Sequence, residues 1–284
     1  MGGGAQMTIS RDPKQGGETD SHPANRAELV HEARKAIKRM RALARLLRYE
    51  LGEEEFRRVN DSLRATGQRL AGARDADVRF ATLEHLRSRH QKALALQGIE
   101  RLSERLELER GQTDEPRSQQ DALEDIASMR RELARWNLVE HDFQAVSPGL
   151  KRLYREGRYR YSRVKREHAN NAEHIHDWRK RVKSLYYALD MLGGASTNGS
   201  QDATQRAKQL GDLLGEEHDL WMLCTYVEQH PDAFGDDVSA SAELLKLIER
   251  RRKRMHKRAL KHGEQLYKCK PGNFTRRIGD SLGN

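Results

Sequence analysis

Residues 30–47 read VHEARKAIKRMRALARLL, and residues 175–192 read IHDWRKRVKSLYYALDML. Laid over one another at an offset of 145, the two stretches share His31/His176, Arg34/Arg179, Lys35/Lys180 and Lys38/Lys183. Val30/Ile175, Glu32/Asp177, Ile37/Val182 and Met40/Leu185 are conservative pairs. In the first copy Leu29, Val30, Ala33, Ile37, Met40, Ala44 and Leu47 recur every three or four residues, which marks one face of a helix. A second pair of blocks follows, GQRLAGARDADV from Gly67 and GDLLGEEHDLWM from Gly211, in which Gly67, Leu70 and Asp75 match Gly211, Leu214 and Asp219 at an offset of 144. Two blocks in the same order at nearly the same offset indicate internal duplication. The expected fold is all-α: two four-helix bundles related by a pseudo-twofold axis.

The rest of the chain reads as helix around this repeat. Residues 1–24 lack an apolar period and read as a disordered leader. The first repeat then occupies residues 25–170. Its first helix ends at Gly52, the next runs over 53–70, and a third over 75–110 starts at Asp75 as N-cap. A fourth over 119–168 is interrupted at Ser147-Pro148-Gly149, because proline removes a backbone donor. The second repeat, 171–268, has helices over 172–192, 201–214, 217–229 and 239–265. The tail, 269–284, reads as irregular. Period-two alternation rich in β-branched residues is missing, so no strand is expected.

The 284 residues include 53 Lys and Arg against 43 Asp and Glu, a net charge of +10. Charged residues make up 34% and aromatics 6%, a balance that sparse apolar stripes on helices satisfy. The two cysteines, Cys224 and Cys269, are far apart in sequence and form no CxxC, which argues against a disulfide framework and for a reducing, cytoplasmic setting. No apolar run approaches a membrane span. The surplus positive charge calls for an anionic partner.

On a helix at 100° per residue, His31, Arg34, Lys38, Arg41, Arg45 and Arg48 form one stripe about 25 Å long, with Lys35 at its edge. The second copy repeats it with His176, Arg179, Lys180 and Lys183, then departs from it at Tyr186, Tyr187 and Asp190. A charge run is commonly a solvated face. Here the same residue types recur in both halves, and no acid interrupts the run between Arg34 and Arg48. Two such stripes facing each other would make a basic central groove that concentrates polyanions. The histidines can donate to phosphate. No carboxylate set accompanies them at metal-ligand spacing, so neither a metal nor a cofactor is expected. Asp75 and Asp219 fit N-capping or the orientation of a neighbouring base. Arg69, Arg74 and Lys208 extend the basic lining.

Two further basic runs stand out. Lys151, Arg152, Arg155, Arg158, Arg160, Arg163 and Arg166 are interleaved with Tyr154, Tyr159 and Tyr161, a mixture that single-stranded nucleic-acid binders use for stacking. Residues 250–261, RRRKRMHKRALK, read either as a solvated outer helix or as a nonspecific anion patch.

The paired HxxRKxxK motif, with the LAGARDADV and LGEEHDLWM blocks behind it, resembles the conserved-histidine α-helical domain family, CHAD. The likeness spans about residues 26–268. It implies two four-helix halves, a basic central groove, binding of inorganic polyphosphate, association with polyphosphate granules, and no catalysis. Its basic motif maps onto His31, Arg34, Lys35, Lys38, Arg41, Arg45, His176, Arg179, Lys180 and Lys183, with Tyr186 and Asp190 departing from it. The ExExK signature of the CYTH-type domain often joined to such domains is absent. The expected function is therefore non-catalytic polyphosphate binding. RNA or DNA binding is the alternative, and a polyphosphate-processing enzyme is a weaker one, because no P-loop and no HExxH motif is present.

Overall fold

The computed structural model describes residues 23–70, 72–112, 116–136, 142–167, 171–193 and 198–282. The leader up to residue 22, and the side chain of Arg74, lie outside the described residues. The described residues are mainly helical, without strands: α1 Pro23–Leu46, α2 Arg48–Arg69, α3 Gly72–Arg89, α4 Gln97–Gln112, α5 Pro116–Leu133, α6 Phe143–Glu167, α7 Ala172–Leu192, α8 Asn198–Gln229, α9 Val238–Leu266 and α10 Pro271–Ser281, with a 3-10 turn at Pro231–Phe234. None of these helices is long and apolar enough to cross a membrane.

Three apolar clusters hold them together. α1, α2 and α5 share one, built on Ile37, Met40, Val59, Leu63 and Ile126. α3 and α4 share another with the second half of α8 and the first half of α9. The largest joins α6, α7, the start of α8, the end of α9 and α10. The clusters therefore do not follow the sequence repeat: α3 and α4 bury their apolar faces against helices of the second half. The two repeated helices, α1 and α7, pack on each other.

Several boundaries differ from the sequence reading. The expected helix 75–110 is broken at residues 90–96, where no proline or glycine signals a turn. Burial of Leu94 and Ile99 fixes the reversal instead. The expected break at 147–149 does not occur: Pro148 and Gly149 sit inside α6, which runs unbroken from Phe143 to Glu167. Gly149 serves a different purpose: a Cβ there would overlap the carbonyl oxygens of Arg45 and Leu46. α6 thus crosses the end of α1 backbone to backbone, which brings Arg152, one turn on, to the basic end of α1. Helices 201–214 and 217–229 are one continuous α8. The tail is helical, and α10 buries Phe274 and Ile278 against α6 and α8.

The caps also differ. Asp75 lies in the first turn of α3 rather than before it, and Asp219 is in the interior of α8, where it cannot cap. The capping aspartate is Asp237, which accepts from Ala240 N at 3.1 Å and from Gly98 N at 3.2 Å. One carboxylate thereby serves the N-termini of both α9 and α4. The Ser239 hydroxyl and then these amides hold its pKa below the ordinary aspartate value.

Candidate anion-binding site

The C-terminal turn of α1, the first turns of α2, the middle of α6 and one residue of α7 enclose a cavity of about 280 Å³. Its lining is Arg41, Arg45, Arg48, Arg152 and Arg181, with Asn60, Phe56, Leu153 and a single carboxylate, Glu156. Glu156 offsets one of these five guanidiniums, and Glu53, outside the lining, offsets Arg48, which leaves three positive charges uncompensated at the wall. A neighbouring cavity of about 350 Å³ shares Glu156 and Arg181 and adds Arg155, Tyr159 and Arg160.

Each arginine is fixed by a specific contact. Arg45 donates to Arg41 O at 3.1 Å, one turn earlier on the same helix. It also shares Asn60 Oδ1 with Arg41, each at 3.3 Å. Arg48 pairs with Glu53 at 2.6 Å and lies over the Phe56 ring at 4.2 Å. Glu156 accepts from Arg152 at 2.9 Å and pairs with Arg181 at 3.0 Å, holding the two guanidiniums side by side. Burial, and then the charges of Arg41 and Arg181, push the Arg45 guanidinium down to about 10. Arg41 is lowered by burial and by Arg64. An anion placed there would relieve that destabilisation.

The other expected site residues are not in this cavity. Arg34 donates to Leu70 O, the C-cap carbonyl of α2, and so ties α1 to the end of that helix. Arg69 pairs with Asp125 of α5. Lys35 reaches Glu32 at 3.3 Å. His31, Lys38 and Lys208 are exposed. On α7 the repeated residues turn towards α8 rather than towards α1. Lys183 bonds Asp212 at 3.0 Å, against Gly211. The His176 ring sits 4.6 Å from that of His218, which in turn lies 5.5 Å from Trp221. Burial, and then Lys180 and Arg179, hold the His176 pKa below the usual imidazole value, so the ring is neutral at pH 7. Lys180 pairs with Asp177 at 3.6 Å.

The chain matches the family model of the CHAD domain over residues 18–228, well over half of its length. The chain belongs to the CHAD domain family. No curated protein sequence matches it. The match ends at Glu228, short of the limit near residue 268 that the motifs suggested. In this CHAD chain, then, α9 and α10 lie beyond the matched region although both pack into its cores.

The repeat motifs did not point to Arg181, because it lies about 170° around α7 from the stripe of His176, Arg179 and Lys183 at 100° per residue. It takes the place of Ala36 in the first copy. Asn60 and Glu156 carried no motif either, and Arg160 was visible only as part of the basic run. The one available signal was the break in symmetry itself, an arginine in one copy of the CHAD repeat and alanine in the other.

α9 completes the second half with a buried ion pair. Arg252 Nε donates to Glu217 Oε1 at 2.9 Å, and the Glu217 side chain is 5% exposed. Burial raises the Glu217 pKa, while Arg252 and Arg179 pull it back down. Arg252→Met is expected to cost about 3–5 kcal/mol at neutral pH, because it strands a buried carboxylate. Without Arg252 that pKa rises further. A carboxyl raised in the folded state contributes stability below its unfolded value, about 4.3, and loses it as pH climbs through the folded value. The cost of the substitution should therefore shrink towards acid pH, which thermal unfolding over a pH series would measure. A pH-independent loss would assign Arg252 to packing alone.

Proposed function

We propose that the protein binds inorganic polyphosphate, without transforming it, in the arginine cavity between α1, α2, α6 and α7. The observation that carries this reading is the cavity lining: five arginines drawn from four helices, against one carboxylate. Guanidiniums offer paired donors that match phosphate oxygens, and they remain charged at neutral pH even when lowered as Arg45 is. Membership of the CHAD family supports polyphosphate as the anion. On this reading the protein would accompany polyphosphate granules in the cytoplasm.

Two features favour binding over catalysis and over base stacking. Glu156 is engaged by two arginines and the repeated carboxylates Asp75 and Asp219 do not line the cavity, so no spare carboxylate there could hold the metal that phosphoryl transfer uses. Of the three tyrosines in the 151–166 run, Tyr154 and Tyr161 are buried, and only Tyr159, 57% exposed, could meet a base.

Titration with long-chain polyphosphate, with free phosphate followed in parallel in the presence of Mg²⁺, tests the reading. Saturable binding is expected, with a log–log salt slope of roughly −2 for three uncompensated charges, by analogy with single-stranded nucleic acid. The polymer should keep its length. Steady phosphate release, or the absence of binding, would overturn the proposal.

A further inference from the structure

From Arg250 to Lys261, α9 carries eight cations and no acid. Three are engaged within the fold: Arg251 with Glu216, Arg252 with Glu217 at 2.9 Å, and Lys253 with Glu249 at 2.5 Å. The other five, Arg250, Arg254, Lys257, Arg258 and Lys261, are exposed and form no hydrogen bond or ion pair among the described residues. At 100° and 1.5 Å per residue they lie within an arc of about 100° and span about 17 Å. The opposite face buries Leu244, Ile248, Met255 and Ala259, so the helix cannot turn the row away from solvent.

Among the described residues, no carboxylate pairs with the row. The carboxylates of α9 flanking it, Glu243, Glu249 and Glu264, are each held by a lysine, namely Lys246, Lys253 and Lys165. His262, beside the row, registers the same field. Burial, and then the charges of Arg258, Lys261 and Arg206, hold it below the usual imidazole value. Like charges one turn apart repel by a few tenths of a kcal/mol per pair, and no ion pair among the described residues offsets that.

We infer that this face of α9 docks the phosphate backbone of double-stranded nucleic acid, irrespective of base sequence, at a surface separate from the arginine cavity. The row is straight, belongs to a rigid helix and lines neither cavity described above. It contains no aromatic side chain to stack an unpaired base and no Asn or Gln to read a base edge. A flexible polyanion would lose conformational freedom by lying straight along such a ridge. A duplex is already straight over this length, with a persistence length of about 50 nm, and presents about ten phosphates over 17 Å.

Fluorescence anisotropy of the full chain with a labelled duplex of about 20 bp, between about 50 and 200 mM salt, tests this. Five phosphate contacts predict a log–log slope of about −4.5, a loss of roughly 500-fold in affinity across that range. Replacing Arg250, Arg254, Lys257, Arg258 and Lys261 together by Gln should remove most of the slope and weaken duplex binding at least about 100-fold at the lowest salt. Melting temperature and polyphosphate affinity should be unchanged, since all five side chains are exposed and outside the cavity. Arg45→Glu with Arg181→Glu should leave duplex binding intact, so the two surfaces can fail independently. No duplex binding by the unaltered chain, an unchanged slope in the five-fold variant, or a preference for single strands would overturn the inference. A parallel loss of polyphosphate affinity would do so too, by making the row a second polyphosphate surface.

Discussion

Arg45→Glu combined with Arg181→Glu is expected to lower polyphosphate affinity by at least about 100-fold. Each guanidinium supplies charge-assisted hydrogen bonds of about 1.5–3 kcal/mol, so losing two sets costs about 3–6 kcal/mol, or two to four orders of magnitude in Kd. The new carboxylates add repulsion to that loss. Glu156→Gln should act in the opposite direction and tighten binding, because it removes the only negative charge from the wall. Exposed Lys92, outside the cavity, is the control: Lys92→Glu should change little. Filter binding at fixed ionic strength measures all three. Undiminished affinity of the double reversal would place the polymer elsewhere.

The same crowding predicts opposed effects on binding and stability. Arg45 is lowered to about 10 by burial and by its cationic neighbours. Keeping it charged at neutral pH therefore costs on the order of a few kcal/mol of folding free energy. For a base whose folded value is depressed, that cost is complete at neutral pH and is relieved only as pH rises past the folded value. Arg45→Gln should accordingly bind polyphosphate more weakly with no fall in melting temperature, although it gives up part of the bonding to Arg41 O and Asn60. Such opposition is expected where a site is built for a ligand rather than for the empty fold.

Phe274→Ala is expected to destabilise the chain by about 3–5 kcal/mol, and removal of α10 to abolish stable folding at physiological temperature. Phe274 stacks on Tyr154 with ring centroids 3.9 Å apart, and Tyr154 meets Tyr267 edge-on at 5.3 Å. Tyr267 continues to Tyr161 at 5.8 Å, and Tyr161 to Trp178 at 5.5 Å. This relay uses five of the chain's sixteen aromatic side chains and ties α10, α6, α7 and the end of α9 together. A net stability of about 5–15 kcal/mol does not survive its loss. Tyr154 also donates to Leu266 O at 3.0 Å and stands on α6 between Arg152 and Glu156, so loosening α10 loosens the site. The urea midpoint of Phe274→Ala measures the effect. A loss below about 1 kcal/mol would make α10 an appendage.

The two repeated motifs were legible because a helix face and a duplicated block are local patterns. His31 through Lys38 and His176 through Lys183 sit on the helices expected of them. Arg41, Arg45, Arg48 and Arg152 were candidates before the structure, and it brings them to one cavity. The tail was misread because PGNFTRRIGD is short, rich in glycine and punctuated by proline, and its helix exists only because Tyr154 offers Phe274 a surface. Gly149 was misread as a break for a similar reason. A close crossing of two helices and a turn both call for glycine, and only the packing distinguishes them.

The sequence by itself determined the all-helical class, the family, the excess of positive charge and the helix faces that carry it. Those depend on spacing along one chain, where 100° per residue fixes which side chains are neighbours. Tertiary structure decided which cations meet. It sent the α7 motif to α8, recruited Arg181 from the opposite side of that helix, and set Glu156 between two arginines. Distances between helices depend on how apolar faces interlock, and no local spacing encodes that.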